Sequence, residues 1–291
     1  MSDRLAEEWR RHRPAVFGVA YRILGSVADA EDVTQDVWLR AAGARLEEVR
    51  DLRAWLVTVA ARRSYDLLTS ARARHEDYIG PWLPEPLLTG PDAAEPVLVD
   101  DLVGTAMLLV LRELSPPERI AFVLRQAFDV PYDRIGRVLD RSPAACRQLV
   151  SRARRRIAAR MRGNGPRASR AERERVMAAF RAAHEKGDTA ALASLLDPEA
   201  VYITDGGGEV FAARKPIVGN VRIAETLLRV ARRPVPAAFV PAEVNGEPGL
   251  LVYRDGRLVA VDTAEIAAGR IVAYRRVLNP RKLRGIRPRG A

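Results

Sequence analysis

Apolar positions recur at helical spacing through the first quarter of the chain. Val16, Phe17, Val19, Ala20, Ile23 and Leu24 predict a helix that ends near Gly25. Ser26 follows as an N-cap, and Ala30, Val33, Val37 and Trp38 mark a second helix. A polar loop around Gly43 precedes a third over residues 52–68. The pattern then breaks, because Gly80, Pro81, Pro84, Pro86, Gly90, Pro91 and Pro96 forbid a regular helix over most of residues 76–100. Helical spacing returns over about 102–114, and Ser115-Pro116 starts another helix. From Arg170 the pattern changes again. Helices over about 170–186, 189–196 and 220–232 are joined by strands at 201–203, 237–244, 249–254, 257–263 and 270–278. Asn245-Gly246 and Asp255-Gly256 read as type I′ hairpin turns, since both central positions need positive φ. The fold class predicted is multidomain: two all-α domains at 1–75 and 101–163, a linker at 76–100, and an α+β domain at 170–285 whose antiparallel sheet curves around helices.

Within the second helical domain, Ile135, Val138 and Leu139 put one apolar stripe on a short helix, and Asp140-Arg141 make a tight turn. Ser142-Pro143 then open a longer helix whose buried stripe is Cys146, Leu149, Val150, Ala153 and Ile157. Arg147, Gln148, Ser151, Arg152, Arg154, Arg155 and Arg156 are left facing outward, and no acid occurs between Ser142 and Gly163. A capped basic helix after a short helix and turn is helix-turn-helix chemistry: guanidiniums for phosphates and guanine edges, an amide for adenine.

The formal charge of +11 over 291 residues agrees, favouring a polyanionic partner over an acidic small substrate. The excess concentrates at 147–175 and in the tail 281–289, whereas 76–100 carries six acids and no Lys or Arg. Cys146 is the single cysteine and falls on a buried stripe, and His12, His75 and His184 are scattered. Disulfides are thereby excluded, and neither a metal site nor a cofactor is expected. No apolar run approaches the roughly 18 residues of a membrane span, so a cytoplasmic protein is expected.

Three groups of residues carry a family resemblance. Ala20-Tyr21-Arg22-Ile23-Leu24-Gly25-Ser26, with Asp29-Ala30-Glu31-Asp32-Val33-Thr34-Gln35-Asp36, and Ala54-Trp55-Leu56-Val57-Thr58-Val59-Ala60 with Arg62 form the first. Ser142-Pro143-Ala144-Ala145-Cys146-Arg147-Gln148 and Ser151-Arg152-Ala153-Arg154 form the second. Trp82-Leu83-Pro84-Glu85-Pro86, Asp205-Gly206-Gly207-Gly208 and Asn279-Pro280-Arg281-Lys282-Leu283 form the third. Together they resemble the extracytoplasmic-function (ECF) sigma factors of bacterial RNA polymerase, in the sigma-J type with a C-terminal SnoaL-like extension. Two positions depart from that pattern: Glu209 stands where a basic residue usually follows the glycines, and Arg281 where the last motif usually has an acid.

The resemblance implies two all-α sigma domains, region 2 and region 4, plus a SnoaL-like cone, and partners in core polymerase and promoter DNA. Asp29, Asp32, Gln35 and Asp36 would meet the β′ coiled coil, with the β flap as a further polymerase contact. Arg53, Trp55, Arg62 and Arg63 would serve the single-stranded −10 element, although Trp55 suits a helix core as well as a base-stacking platform. Ser142, Ala145, Arg147, Gln148, Ser151, Arg152, Arg154 and Arg155 would meet the −35 duplex. The acidic linker would thread the RNA exit channel. Trp82 to Pro86, Asp205 to Gly208, and Asn279, Pro280, Lys282 and Leu283 would make regulatory contacts, with the Trp82-Leu83 hook packing on the cone. Two other readings remain open. One is a one-component regulator whose cone binds a small ligand. The other is an enzyme in the cone using Tyr202, Asp205, Asp262 or Glu265, because some SnoaL-like proteins are isomerases, cyclases or epoxide hydrolases.

Overall fold

Alternation between apolar stripes and charged faces sorts the chain into helices and one sheet in a computed structural model, which describes residues 3–44, 49–71, 78–90, 103–161, 168–231 and 236–286. Contacts divide it into two units, the first comprising residues 1–76, 95–103 and 107–160, the second 77–94, 104–106 and 161–291.

In the first unit, α1 (Asp3–Leu24), α2 (Val27–Gly43) and α3 (Leu52–Ala71) pack mutually. Val16, Val19 and Ala20 of α1 and Ala30, Val33 and Val37 of α2 are fully buried. Ser26 Oγ caps α2 by accepting the Asp29 N–H at 3.1 Å. The helices α4 (Thr105–Glu113), α5 (Pro116–Ala127), α6 (Tyr132–Leu139) and α7 (Pro143–Met161) follow. Helix α4 starts three residues later than its periodicity predicts, and α3 runs three residues longer. Arg119 on α5 is buried and donates to the Ile23 carbonyl at 2.9 Å and the Arg112 carbonyl at 2.7 Å. It thereby satisfies an end carbonyl of α1 that the helix itself leaves unpaired. Burial lowers its pKa to about 10.

The helix-turn-helix turn rests on two backbone requirements. Asp140 caps α6 in the left-handed region (φ 53°), with its N–H on the Gly136 carbonyl. Gly136 lies under the turn, where a Cβ would come 2.4 Å from the Arg141 carbonyl oxygen. The predicted stripe on α7 is the buried one: Cys146, Leu149, Val150, Ala153 and Ile157.

The second unit is α+β. Helices α8 (Arg170–Lys186) and α9 (Thr189–Leu195) precede strands β2 (Leu196–Asp205) and β3 (Ile217–Val218), then α10 (Asn220–Ala231). The hairpin strands β4 (Ala238–Val244), β5 (Glu247–Arg254), β6 (Arg257–Ala267) and β7 (Arg270–Val277) come next, and α11 (Pro280–Leu283) closes the unit. With β1 (Leu88–Thr89), the sheet order is β1-β4-β5-β6-β7-β2-β3. Phe180, Leu192, Ile223, Leu227 and Tyr274 are buried between helices and sheet. The β4 to β7 strands form the predicted antiparallel meander, but β2 runs parallel to β7 and so escapes any hairpin-based expectation. Strand β6 also runs past residue 263, because Ala268-Gly269 makes a third turn with both φ positive (48° and 74°). An alanine there gives no sequence signal.

Residues 78–90, expected in a linker, are built into this unit. Pairing of β1 with β4 places Leu88 opposite Val244. The hairpin residue Asn245 gives its N–H to the Leu87 carbonyl at 2.8 Å and accepts the Leu87 N–H at 3.3 Å.

Gly136→Ala would normally favour a helix, yet the carbonyl contact makes it costly here. We expect a loss of ~1–3 kcal/mol, read by denaturant unfolding of the full chain.

Candidate nucleic-acid interface and intramolecular latch

The outward face of α7 follows from its inward one. With its apolar stripe buried, Arg147, Gln148, Ser151, Arg152, Arg154 and Arg155 are exposed, and Ala145 is half-buried. Ser142 Oγ accepts the Ala145 N–H at 3.2 Å, which starts the helix. Several guanidiniums are positioned from neighbouring helices. Arg147 stacks over Tyr132 at 5.6 Å, and Arg154 reaches Gln126 Oε1 at 3.2 Å. Arg152 and Arg156 both lean on Glu118, at 3.4 and 2.9 Å. Burial alone would raise the Glu118 pKa, but Ser115 hydrogen bonds and these two arginines hold it below the usual carboxylate range. Arg156, grouped with the outward phosphate-facing arginines by sequence, is thus drawn back onto α5.

On α2, Asp29, Asp32 and Gln35 are exposed and Asp36 half-buried, with the three acids at i, i+3 and i+7 on one face. Asp36 Oδ2 accepts from Arg63 Nε at 2.7 Å, so the predicted polymerase-facing and −10-facing sets meet in an ion pair. Arg53 is exposed and sits 5.9 Å from the Phe128 ring, and Arg62 donates to the Arg137 carbonyl at 3.2 Å. Trp55 is half-buried.

In the second unit the three remaining signatures converge. Asp205 ends β2 with no solvent exposure. Its Oδ1 accepts the Tyr78 hydroxyl at 2.5 Å, and its Oδ2 accepts the Leu83 N–H and Lys282 Nζ, each at 2.7 Å. Lys282 also donates to the Leu83 carbonyl at 2.5 Å and lies 4.3 Å from the Trp82 ring centroid. The Asp205 carbonyl accepts the Leu278 and Asn279 N–H groups, and Asn279 Nδ2 donates to Tyr78 at 3.1 Å. Leu83, Pro84, Glu85 and Pro86 are buried, Trp82 is half-buried, Leu283 is buried and Pro280 exposed.

The glycines fit this latch sterically. A Cβ on Gly207 (φ 61°) would collide with Asn279 Nδ2 at 2.1 Å, and one on Gly206 would meet the Val210 carbonyl at 2.6 Å. At Gly208 (φ 75°) it would press on Ile79 at 3.0 Å. Glu209 and Arg281, the two departures from the resemblance, are ion-paired with each other.

The carboxylates weighed as acid–base catalysts are each matched to a cation. Asp262, fully buried, accepts from both Arg276 Nε and Nη2 at 2.7 Å and from the Tyr274 hydroxyl at 2.5 Å. Burial and the Asp262 charge push the Tyr274 phenol well above its ordinary pKa. Glu265 pairs with Arg275 at 2.6 Å, and Asp205 with Lys282. Tyr202 lies near Arg276 and Asp262, and burial raises its pKa. Tyr202 and Asp262 are brought together, whereas Asp205 and Glu265 belong to separate pairs. Sequence reasoning missed Tyr78, which nothing local distinguishes, and read Asn245 as a turn residue without its contact to Leu87. It also missed Arg276, although this residue faces Asp262 across the β6–β7 ladder once the Ala268-Gly269 turn is placed.

Three measurements follow from these contacts. Asp205→Ala leaves Lys282 buried without its carboxylate, so we expect ~3–5 kcal/mol of destabilisation and rapid hydrogen exchange at the Leu83 amide. Glu209→Arg or Arg281→Glu alone should cost ~0.2–1 kcal/mol, and the double exchange should recover it in a thermodynamic cycle. His184 packs at a tilt against Phe239, the ring centroids 4.5 Å apart, and burial, then Arg276, lower its pKa to about 4 against a rise from Asp262. The unfolded chain therefore takes up a proton that the native state refuses. Stability should fall by up to ~3 kcal/mol as pH drops from about 6.5 toward 4, and His184→Gln should flatten that part of the pH–stability curve.

Similarity to known proteins accounts for both units. The sequence matches Sigma-70 region 2 over residues 9–74 and Sigma-70 region 4 over residues 105–157. It is 36% identical to the ECF RNA polymerase sigma factor SigJ of Mycobacterium tuberculosis, across 96% of this chain and 93% of that one. It is 32% identical to the "Probable ECF RNA polymerase sigma factor SigI" of the same organism, across 98% of this chain and 97% of that one. The crystal structure of the M. tuberculosis SigJ superposes with a TM-score of 0.76 at 33% identity, covering 96% of this chain and 98% of that one. The chain belongs to the ECF RNA polymerase sigma factors: it is an alternative sigma factor of transcription initiation, a non-catalytic polymerase subunit whose sigma domains are followed by an α+β domain.

Proposed function

We propose that α7 enters the major groove of the −35 element, with Arg147 and Arg152 on guanine edges or phosphates and Gln148 on adenine. Ser142, Ala145 and Ser151 flank these contacts, and Arg154 and Arg155 hold phosphates. Helix α3 serves the opened −10 strand through Arg53, Arg62 and Arg63, with Trp55 beside them. Asp29, Asp32, Gln35 and Asp36 dock on the basic β′ coiled coil, and the β flap is a second polymerase contact. The observation that carries this reading is the exposure of Arg147, Gln148, Ser151, Arg152, Arg154 and Arg155 opposite a fully apolar buried stripe on one capped helix. No helix among the described residues is long and apolar enough to cross a membrane, which suits work beside polymerase in the cytoplasm.

The domain assignment we propose is region 2 at 1–75, region 4 at 101–163 and the cone at 170–285. The segment between the sigma domains is held by the cone through 78–90. The cone regulates the sigma domains through this capture: Trp82 to Pro86 compete between Asp205 and the polymerase channel. The tether makes even a weak contact effective, because it keeps the partners at high local concentration.

Start-site mapping on host genomic DNA with purified core polymerase tests both parts. New starts sharing −35 and −10 sequences are expected with the full chain, and Asp205→Ala should change their yield. Arg147→Ala should weaken the cognate −35 element by ~1–3 kcal/mol and relax specificity at one position. Absence of any new start with an active polymerase would overturn the reading.

A further inference from the structure

The second unit contains a cleft of about 1250 Å³ that the latch borders through Pro280 and Leu283 but does not fill. Tyr202, Val252 and Ala260 are buried in its lining, and Ile217, Leu258 and Val259 line it half-buried. Exposed lining residues place four guanidiniums, Arg222, Arg229, Arg257 and Arg284, against two carboxylates, Glu225 and Asp255. None of these four guanidiniums has a side-chain partner among the described residues, unlike Arg276, which Asp262 holds inside the same cleft. Apolar depth under a positive mouth calls for an occupant with both features. A phosphate chain would satisfy the arginines and leave the apolar wall wet, and a neutral hydrocarbon would do the reverse.

We infer that the cleft binds a small amphipathic organic anion, an acyl or aromatic carboxylate, and that its binding tightens the capture of residues 78–90. The coupling lies in the lining. Thr204 precedes Asp205, Leu278 precedes Asn279 and Leu283 follows Lys282, and all three line the cleft. An occupant therefore packs beside Asp205, Asn279 and Lys282, the three residues that receive the 78–90 segment, and favours the arrangement in which they are assembled. By reciprocity, anything that opens the latch weakens the ligand by the same factor. This deepens the regulatory role proposed for the cone and rests on it, whereas the binding site itself does not.

The test uses the full chain and sodium decanoate, with 1-decanol and decyltrimethylammonium as neutral and cationic counterparts, all below micellar concentration. Calorimetry should show one saturable decanoate site, with the two counterparts at least about tenfold weaker. Arg222→Glu combined with Arg257→Glu should weaken decanoate by about tenfold without moving the melting temperature. Exchange of the Leu83 amide, held by Asp205, should slow when decanoate is bound. Absence of saturation, equal binding of the cationic chain, or indifference to the charge reversals would overturn the site. Saturable binding with unchanged Leu83 exchange would overturn the coupling. Polymerase is absent from these measurements, so their failure is distinct from failure of the transcription reading.

Discussion

A carboxylate without solvent exposure needs donors on both oxygens and a cation close by, and at Asp205 these come from stretches 199 residues apart. Tyr78 and the Leu83 N–H arrive from the segment between the sigma domains, and Lys282 from the last helix. Removing either side would leave a buried charge unmatched, which is far more costly than the pair is stabilising. The constraint then spreads outward. Asn279 must turn back toward Tyr78, Gly207 must have no side chain so that Asn279 fits, and Trp82 packs on the Lys282 ammonium. Three stretches that look unrelated in sequence are thus one polar structure, and its specificity comes from geometry more than from net energy.

A second carboxylate organises the arginine-rich helix α7. Glu118 is almost wholly buried, accepts from Ser115 at the start of α5, and draws Arg152 and Arg156 of α7 toward it. It holds Arg152 and Arg156 by charge although both are exposed, and leaves Arg155 outside its reach. Net charge alone would have counted them all equally. Two cations on one acid also restrict the rotamers open to Arg152 and Arg156, so both side chains are partly ordered before any partner binds.

Local rules account for most of the architecture. Helical periodicity located α1 to α3 and the α6–α7 pair, because apolar positions recur at helical spacing and Ser26 and Ser142 mark the starts of α2 and α7. Asn245-Gly246 and Asp255-Gly256 located two hairpins, because only a few residues tolerate both positive φ values. The parallel β2–β7 pairing was not legible, since no turn chemistry reports on strands seventy residues apart. Ala268 at positive φ hid the third hairpin, and with it the Asp262–Arg276 pair. Residues 78–90 read as linker because prolines exclude a helix. They do not exclude an extended segment that hydrogen-bonds to a sheet edge and buries Leu83. The motifs there were legible as a resemblance, but their convergence on Asp205 depends on long-range contacts that only the fold supplies.

The Glu209–Arg281 pair has a bearing on how such proteins can be recombined. One partner follows the glycine turn and the other sits in α11, so more than seventy residues separate them in sequence. A chimera whose junction falls between these positions, made with a relative of the opposite polarity, would place two acids or two bases face to face beside the buried carboxylate. Each parent would fold, and the hybrid would carry like-charge repulsion at its latch. The two positions are therefore best exchanged together, and separating them sets a cost of the order of an exposed ion pair, ~0.2–1 kcal/mol.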